Sequence, residues 1–132
     1  MLFLVDVFDF CNSLLSHIEE INAEKGITNI RTVAAKEDDP CIPEPVELIY
    51  IFYTLQYIEG PDRYVRTMSG YLKNRGRIAV VDFNKNWPPL SIKFTEEKLT
   101  AWMRTAGLTL IGYYDFIQDE YLMIFEKLDG TE

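Results

Sequence analysis

Asp9 closes an apolar run that begins at Leu2 and is interrupted by Asp6, and it stands just ahead of a segment with helical periodicity. A carboxylate at the C-terminal end of a strand, before a helix, can accept hydrogen bonds from both hydroxyls of a ribose. The plainer role for such an acid is stabilisation by the helix dipole. Asp6 is the competing acid, although it falls inside the strand. His17 is the only histidine, and with Cys11 and Cys41 it cannot assemble a four-ligand metal site. A Cys/His or Ser/His/acid nucleophile would need His17 too, and no spacing brings it to either cysteine. Asp38-Asp39 and Glu96-Glu97 read as loop and first-turn charges. Tyr113, Tyr114, Phe116, Tyr121 and Phe125 suit a packed hairpin more than a base-stacking platform, because few basic residues accompany them.

The elements that must position these residues alternate between strand and helix periods, as in α/β architecture. Residues 2–9 read as a buried strand. Asn12 or Ser13 can cap a helix whose Leu14, Leu15, Ile18 and Ile21 form one stripe, and Gly26 stops it. Ile30 to Ala35 is a short strand, and the proline- and acid-rich stretch from Lys36 to Pro45 is a loop. Val46 to Leu55 is apolar almost throughout, as expected of a central strand covered on both faces. Pro61 opens a helix at the position where its missing N–H costs nothing, with Tyr64, Val65, Met68 and Leu72 buried. Asn74-Arg75-Gly76 is a turn into the strand Ile78 to Asp82, and Trp87-Pro88-Pro89 lies in a connecting loop. Thr95 caps a helix carrying Leu99, Trp102, Met103 and Ala106, which Gly107 ends. Leu108–Phe116 and Tyr121–Lys127 have hairpin spacing. The order is β-α-β-β-α-β-α-β-β, mostly parallel, with a terminal antiparallel hairpin.

The chain has 132 residues, 48% of them hydrophobic and 26% charged. That size and composition fit one globular domain over residues 1–132 and exclude disorder. The net charge of −8 argues against nucleic acid and against acidic membrane surfaces as partners. No apolar run approaches the roughly 20 residues that cross a bilayer. Met1 to Val5 lacks the basic flank of a signal peptide. With two cysteines and no disulfide framework, the expected compartment is the cytoplasm.

The order and the local sequence resemble the class I S-adenosylmethionine-dependent methyltransferases, of the type 11, ubiquinone-biosynthesis-like kind. Val7-Phe8-Asp9-Phe10, the helix over 13–25 and Gly26-Ile27-Thr28-Asn29-Ile30 look like the family's second strand, its helix and the entry to its third strand. Val46-Glu47-Leu48-Ile49 through Gln56-Tyr57-Ile58 to Pro61 resembles the fourth strand and the segment after it. Leu72-Lys73-Asn74-Arg75-Gly76-Arg77-Ile78, continuing to Asp82-Phe83, is similar to the fifth strand and the turn before it. Phe94-Thr95-Glu96-Glu97 through Ala106-Gly107-Leu108 looks like the family's next helix. The fold implied is α/β and Rossmann-like, N-terminally truncated: the first strand and its glycine-rich loop have no counterpart, and none of the seven glycines makes a G-x-G pattern. In the family's sheet order, 3-2-1-4-5-7-6, the absent strand is central.

The resemblance implies S-adenosylmethionine as cofactor. Counting back from Gly26 assigns Asp9 to the ribose, with Phe10 beside it as an apolar wall for adenine. The acid for the adenine amino group would stand where this chain has Lys36, and Glu37 or Asp38 can substitute; the alternative is a solvated acidic loop. Tyr53 and Gln56 end the fourth strand, where the family lines cofactor and acceptor. Tyr57 either faces a pocket mouth with Gln56 or packs under a helix.

The function implied is that of a methyltransferase-family protein, truncated and weak or inactive as this chain alone, with a small molecule as methyl acceptor. The alternatives are a non-catalytic interaction protein on the same scaffold, as a homodimer for instance, or an α/β binding module sharing only the fold. With the central strand absent, either residues 2–9 pair directly with 46–55, the favoured arrangement, or another chain fills the gap.

Overall fold

The computed structural model describes residues 4–9, 11–84 and 94–128. The chain divides into two compact units, Met1–Glu44 and Pro45–Glu132. Phe10 and Trp87-Pro88-Pro89, singled out in the sequence, lie outside the described residues.

In the first unit, strand β1 (Val5–Asp9) pairs in parallel with β2 (Ile30–Ala34), in register from Val5↔Ile30 to Asp9↔Ala34. Helix α1 (Asn12–Lys25) connects them. Its N-cap is Cys11 and not Asn12 or Ser13, because the Asp9 carboxylate already meets the chain there and accepts the Cys11 N–H at 2.9 Å. Gly26 ends the helix in the left-handed conformation (φ 66°), the backbone state for which glycine is suited, and Ile27 N–H closes the end onto the Asn22 carbonyl. Of the expected apolar stripe only Leu15 is fully buried, while Leu14 is exposed. Asp6 pairs with its cross-strand neighbour Arg31, with Nε 2.8 Å from one carboxylate oxygen and Nη2 3.2 Å from the other. That bidentate geometry is the favourable one for a guanidinium.

The second unit holds β3 (Val46–Phe52), a one-turn 3-10 helix (Leu55–Tyr57), α2 (Pro61–Gly70), β4 (Leu72–Phe83), α3 (Glu96–Thr105), β5 (Leu108–Tyr114) and β6 (Glu120–Lys127). Its sheet has the order β3-β4-β6-β5, with β3 and β4 parallel and the other two pairs antiparallel. The expected family order, with its first strand removed, divides into β2-β1 and this four-stranded sheet. Among the described residues, the favoured ladder between residues 2–9 and 46–55 is absent: β1 pairs with β2 and β3 with β4, in separate sheets.

Alternation along the strands fixes where the core lies. Ile49, Ile51, Ile78, Val80, Met123 and Phe125 point to one face and are almost completely buried with Val65, Met68, Leu99 and Met103 of the two helices. Thr95 caps α3, accepting the Lys98 N–H at 3.2 Å. The Lys127 ammonium reaches the carbonyls of Ser69 and Leu72 at 2.7 and 3.0 Å, placing a cation at the C-terminal end of α2.

Two expectations are corrected here. Val46–Leu55 is not a doubly covered central strand: β3 ends at Phe52, has one ladder partner among the described residues, and leaves Leu48, Tyr50 and Phe52 more than half exposed. Asn74-Arg75-Gly76 is not a turn outside the strand. It is part of β4, where the register against β3 shifts between Val46 and Leu48 and Arg75 takes a left-handed conformation (φ 66°). Five steps along β4, from Leu72 to Arg77, face two along β3, from Val46 to Leu48, an enlarged bulge that lets the strand continue past an irregular stretch.

Candidate functional site

Parallel strands offer their C-terminal ends to ligands, since the chain turns there into loops and helix starts. Each unit has such an end.

In the first unit Asp9 is the last residue of β1. One carboxylate oxygen orders the entry to α1 through the Cys11 N–H, and the Asp9 carbonyl accepts the Ala35 N–H at 2.9 Å. The segment after β2 therefore leaves from the same strand end as Asp9. Lys36 and Asp39 exchange backbone hydrogen bonds at 2.8 and 3.3 Å, so Glu37 and Asp38 occupy the tip of a tight turn, both exposed. Asp39 accepts the Cys41 N–H at 2.8 Å and orders the exit. His17 lies on α1, exposed, 3.9 Å from Glu20.

In the second unit Tyr53 comes directly after β3. Its N–H bonds the Val81 carbonyl at 2.9 Å, its backbone is left-handed (φ 56°), and its hydroxyl donates to Glu120. That hydrogen bond to a carboxylate raises the Tyr53 pKa. Tyr53 stacks on Phe83, centroids 5.2 Å apart, and meets Phe52 edge-on at 5.4 Å. Gln56 is buried, and its backbone N–H serves the Asp82 carboxylate. Tyr57 is 73% exposed, so it does not pack under a helix.

Sequence reasoning assigned no role to Asp82 or Glu120. Asp82 is fully buried near the end of β4 and accepts the Phe83 N–H at 2.9 Å, and burial raises its pKa from 3.8 to about 6. Tyr113 donates to Glu96, which raises the tyrosine pKa to about 12. Glu120 borders a cavity of about 250 Å³ lined by Tyr50, Phe52, Tyr53, Tyr114 and Phe116. A solid apolar run such as VELIYIF signals a strand but does not tell which of its faces will be left uncovered. Nothing local links Tyr53 to a glutamate 67 residues later.

No protein-family model matches the chain, and no curated relative does. Among solved structures it is similar to a SAM dependent methyltransferase from Aquifex aeolicus, with a TM-score of 0.82 and 16% identity over 95% of this chain and 69% of that one. It is similar to the cyclase SpnF at 0.82 and 13% identity, over 97% of this chain and 67% of that one. A S-adenosylmethionine-dependent methyltransferase from Clostridium acetobutylicum gives 0.81 and 11%, over 95% of this chain and 75% of that one. The chain spans less than half the length of some others, such as 45% of an O-methyltransferase family protein from Burkholderia thailandensis. At these identities the likeness is one of fold. The chain has the Rossmann-like fold of the class I S-adenosylmethionine-dependent methyltransferases.

Proposed function

We propose that the chain acts as the adenosine-binding and acceptor-facing part of an S-adenosylmethionine-dependent methyltransferase, with a small molecule as acceptor, and that alone it binds the cofactor weakly and turns over little or nothing. The observation carrying this reading is Asp9: a carboxylate closing a parallel strand, ahead of α1, in a chain of this fold. The residues fit only one end of the cofactor. Asp9 retains a second carboxylate oxygen for a ribose, with the turn holding Glu37 and Asp38 leaving the same strand end. For the methionine end, the sequence contains no G-x-G loop to present backbone donors at close approach. Each charge-assisted hydrogen bond forgone there contributes about 1.5–3 kcal/mol, so the loss of several lowers affinity by orders of magnitude. No helix among the described residues is long and apolar enough to cross a membrane, and the free thiols Cys11 and Cys41 accord with the cytoplasm as its compartment.

Calorimetric titration of the chain with S-adenosylmethionine and S-adenosylhomocysteine tests the affinity, and a micromolar dissociation constant would overturn the weak-binding part. Amide shifts under millimolar S-adenosylhomocysteine test the site. They are expected at Asp9, Cys11 and the 35–38 segment, and their absence there overturns the assignment. A second reading, an interaction protein on this scaffold, is favoured by one observation. β3 is apolar and, among the described residues, has β4 as its one ladder partner, a place where another chain can add a strand.

A further inference from the structure

We infer that the aromatic cavity of the Pro45–Glu132 unit binds a small organic cation, an ammonium bearing apolar substituents. The inference stands on that unit alone, whether or not the chain moves methyl groups. The cavity's volume, about 250 Å³, admits a trimethylammonium head and a short chain. Its walls include Tyr50 and Phe52 from β3, Tyr53 at the strand end, and Tyr114 and Phe116 from the end of β5 and the hairpin loop. Tyr50 and Phe52 meet edge-on at 5.3 Å, and Phe52 and Tyr53 do so at 5.4 Å. Rings held this way keep fixed orientations at little conformational cost, and an aromatic lining attracts a cation through the negative π faces of its rings.

Charge selects among the ligands that an apolar cavity would otherwise take. Glu120 is the charged residue of the lining, and no Lys or Arg accompanies it among the described residues. It accepts the Tyr53 hydroxyl at 2.5 Å and keeps a second carboxylate oxygen. Tyr53 reaches it from a left-handed backbone, a conformation that costs an aromatic residue energy and is held by its surroundings. An anion would meet this carboxylate with no compensating charge. A neutral apolar ligand would strip water from Glu120 and return nothing. A second copy of the chain carries the same net charge of −8 and meets overall like-charge repulsion. A cation with apolar substituents satisfies both the rings and the carboxylate.

The test uses choline and its uncharged isostere 3,3-dimethylbutan-1-ol, titrated into the whole chain and followed through the aromatic resonances of Tyr50, Phe52 and Tyr114. Choline is expected to shift all three and to bind at least about tenfold more tightly than the isostere. Glu120→Gln should lower choline affinity and leave the isostere's the same or slightly raised, since a neutral amide costs less to desolvate than a carboxylate. Phe52→Leu keeps the site apolar, removes one ring and should weaken choline alone. Equal binding of the two probes, or no ring shifts with choline, overturns the proposal. So does sedimentation showing a dimer in which these rings are protected from solvent.

Discussion

Asp82 of β4 stands directly across the antiparallel ladder from Tyr121 of β6, and each buries an oxygen, Oδ2 and Oη, that has no hydrogen-bond partner among the described residues. Burial raises both pKa values, that of Asp82 to about 6. Two neighbouring buried oxygens without partners are a costly arrangement, and the cost rises when one is ionised.

The folded-state pKa of Asp82 lies above its ordinary value of 3.8, so between about pH 4 and 6 the folded protein binds more protons than the unfolded chain. This group's contribution therefore favours folding below about pH 4, declines through the interval and is flat above about pH 6. Asp82→Asn should remove that slope and raise stability near pH 8 by up to about 3 kcal/mol. Urea denaturation at about pH 5 and pH 8 checks it, and an unchanged slope in the variant would refute the assignment.

Asp6 and Asp9 separate by role. Asp6→Ala breaks the bidentate contact with Arg31 and should lower the urea midpoint while sparing nucleoside binding. Asp9→Ala should abolish the adenosine-dependent shifts in a protein that still folds. The reverse pattern would move the candidate site three residues along β1.

Gly76 has no room for a side chain. An added Cβ would lie 2.8 Å from the Lys73 carbonyl oxygen and 3.3 Å from that of Glu47. Backbone cannot give way as a side-chain tip can, so Gly76→Ala should destabilise by about 1–3 kcal/mol. Equilibrium unfolding measures it.

The two faces of the sheet should respond oppositely to truncation. Phe125 is fully buried, and Phe125→Ala should cost about 3–5 kcal/mol. Tyr50 is 54% exposed, and Tyr50→Ala should stay within about 0.5 kcal/mol. A large loss at Tyr50 would mean that this face is packed in solution.

Local chemistry made most of the element order legible. Gly26, Pro61, Thr95 and Gly107 punctuate helices in ways that depend on a few neighbouring atoms, and the structure keeps all four roles. Reading failed where partners are distant. Leu48, Tyr50 and Phe52 are as apolar as Ile49 and Ile51, so composition alone could not tell the open face from the packed one. The bulge at Arg75 and Gly76 depends on a ladder with β3, and Asn-Arg-Gly read locally is a turn. At the candidate site, Asp9 was legible because strand end and helix start lie together in sequence. Glu120 was not, because its partner Tyr53 is brought to it only by folding.

The two-stranded sheet of the first 44 residues has a consequence in time. Among its described residues Leu15, Pro40 and Ile42 are the buried apolar ones, and a two-stranded sheet has little to hold it closed. The Pro45–Glu132 unit closes β4 between two strands and seals them with Val65, Met68, Leu99 and Phe125. Amide protons of β1 and β2 should therefore exchange through frequent local opening, and those of β4 and β6 only through global unfolding. A ligand held at Asp9 would then be read most sensitively as slowed exchange in β1 and β2, with β4 and β6 unchanged.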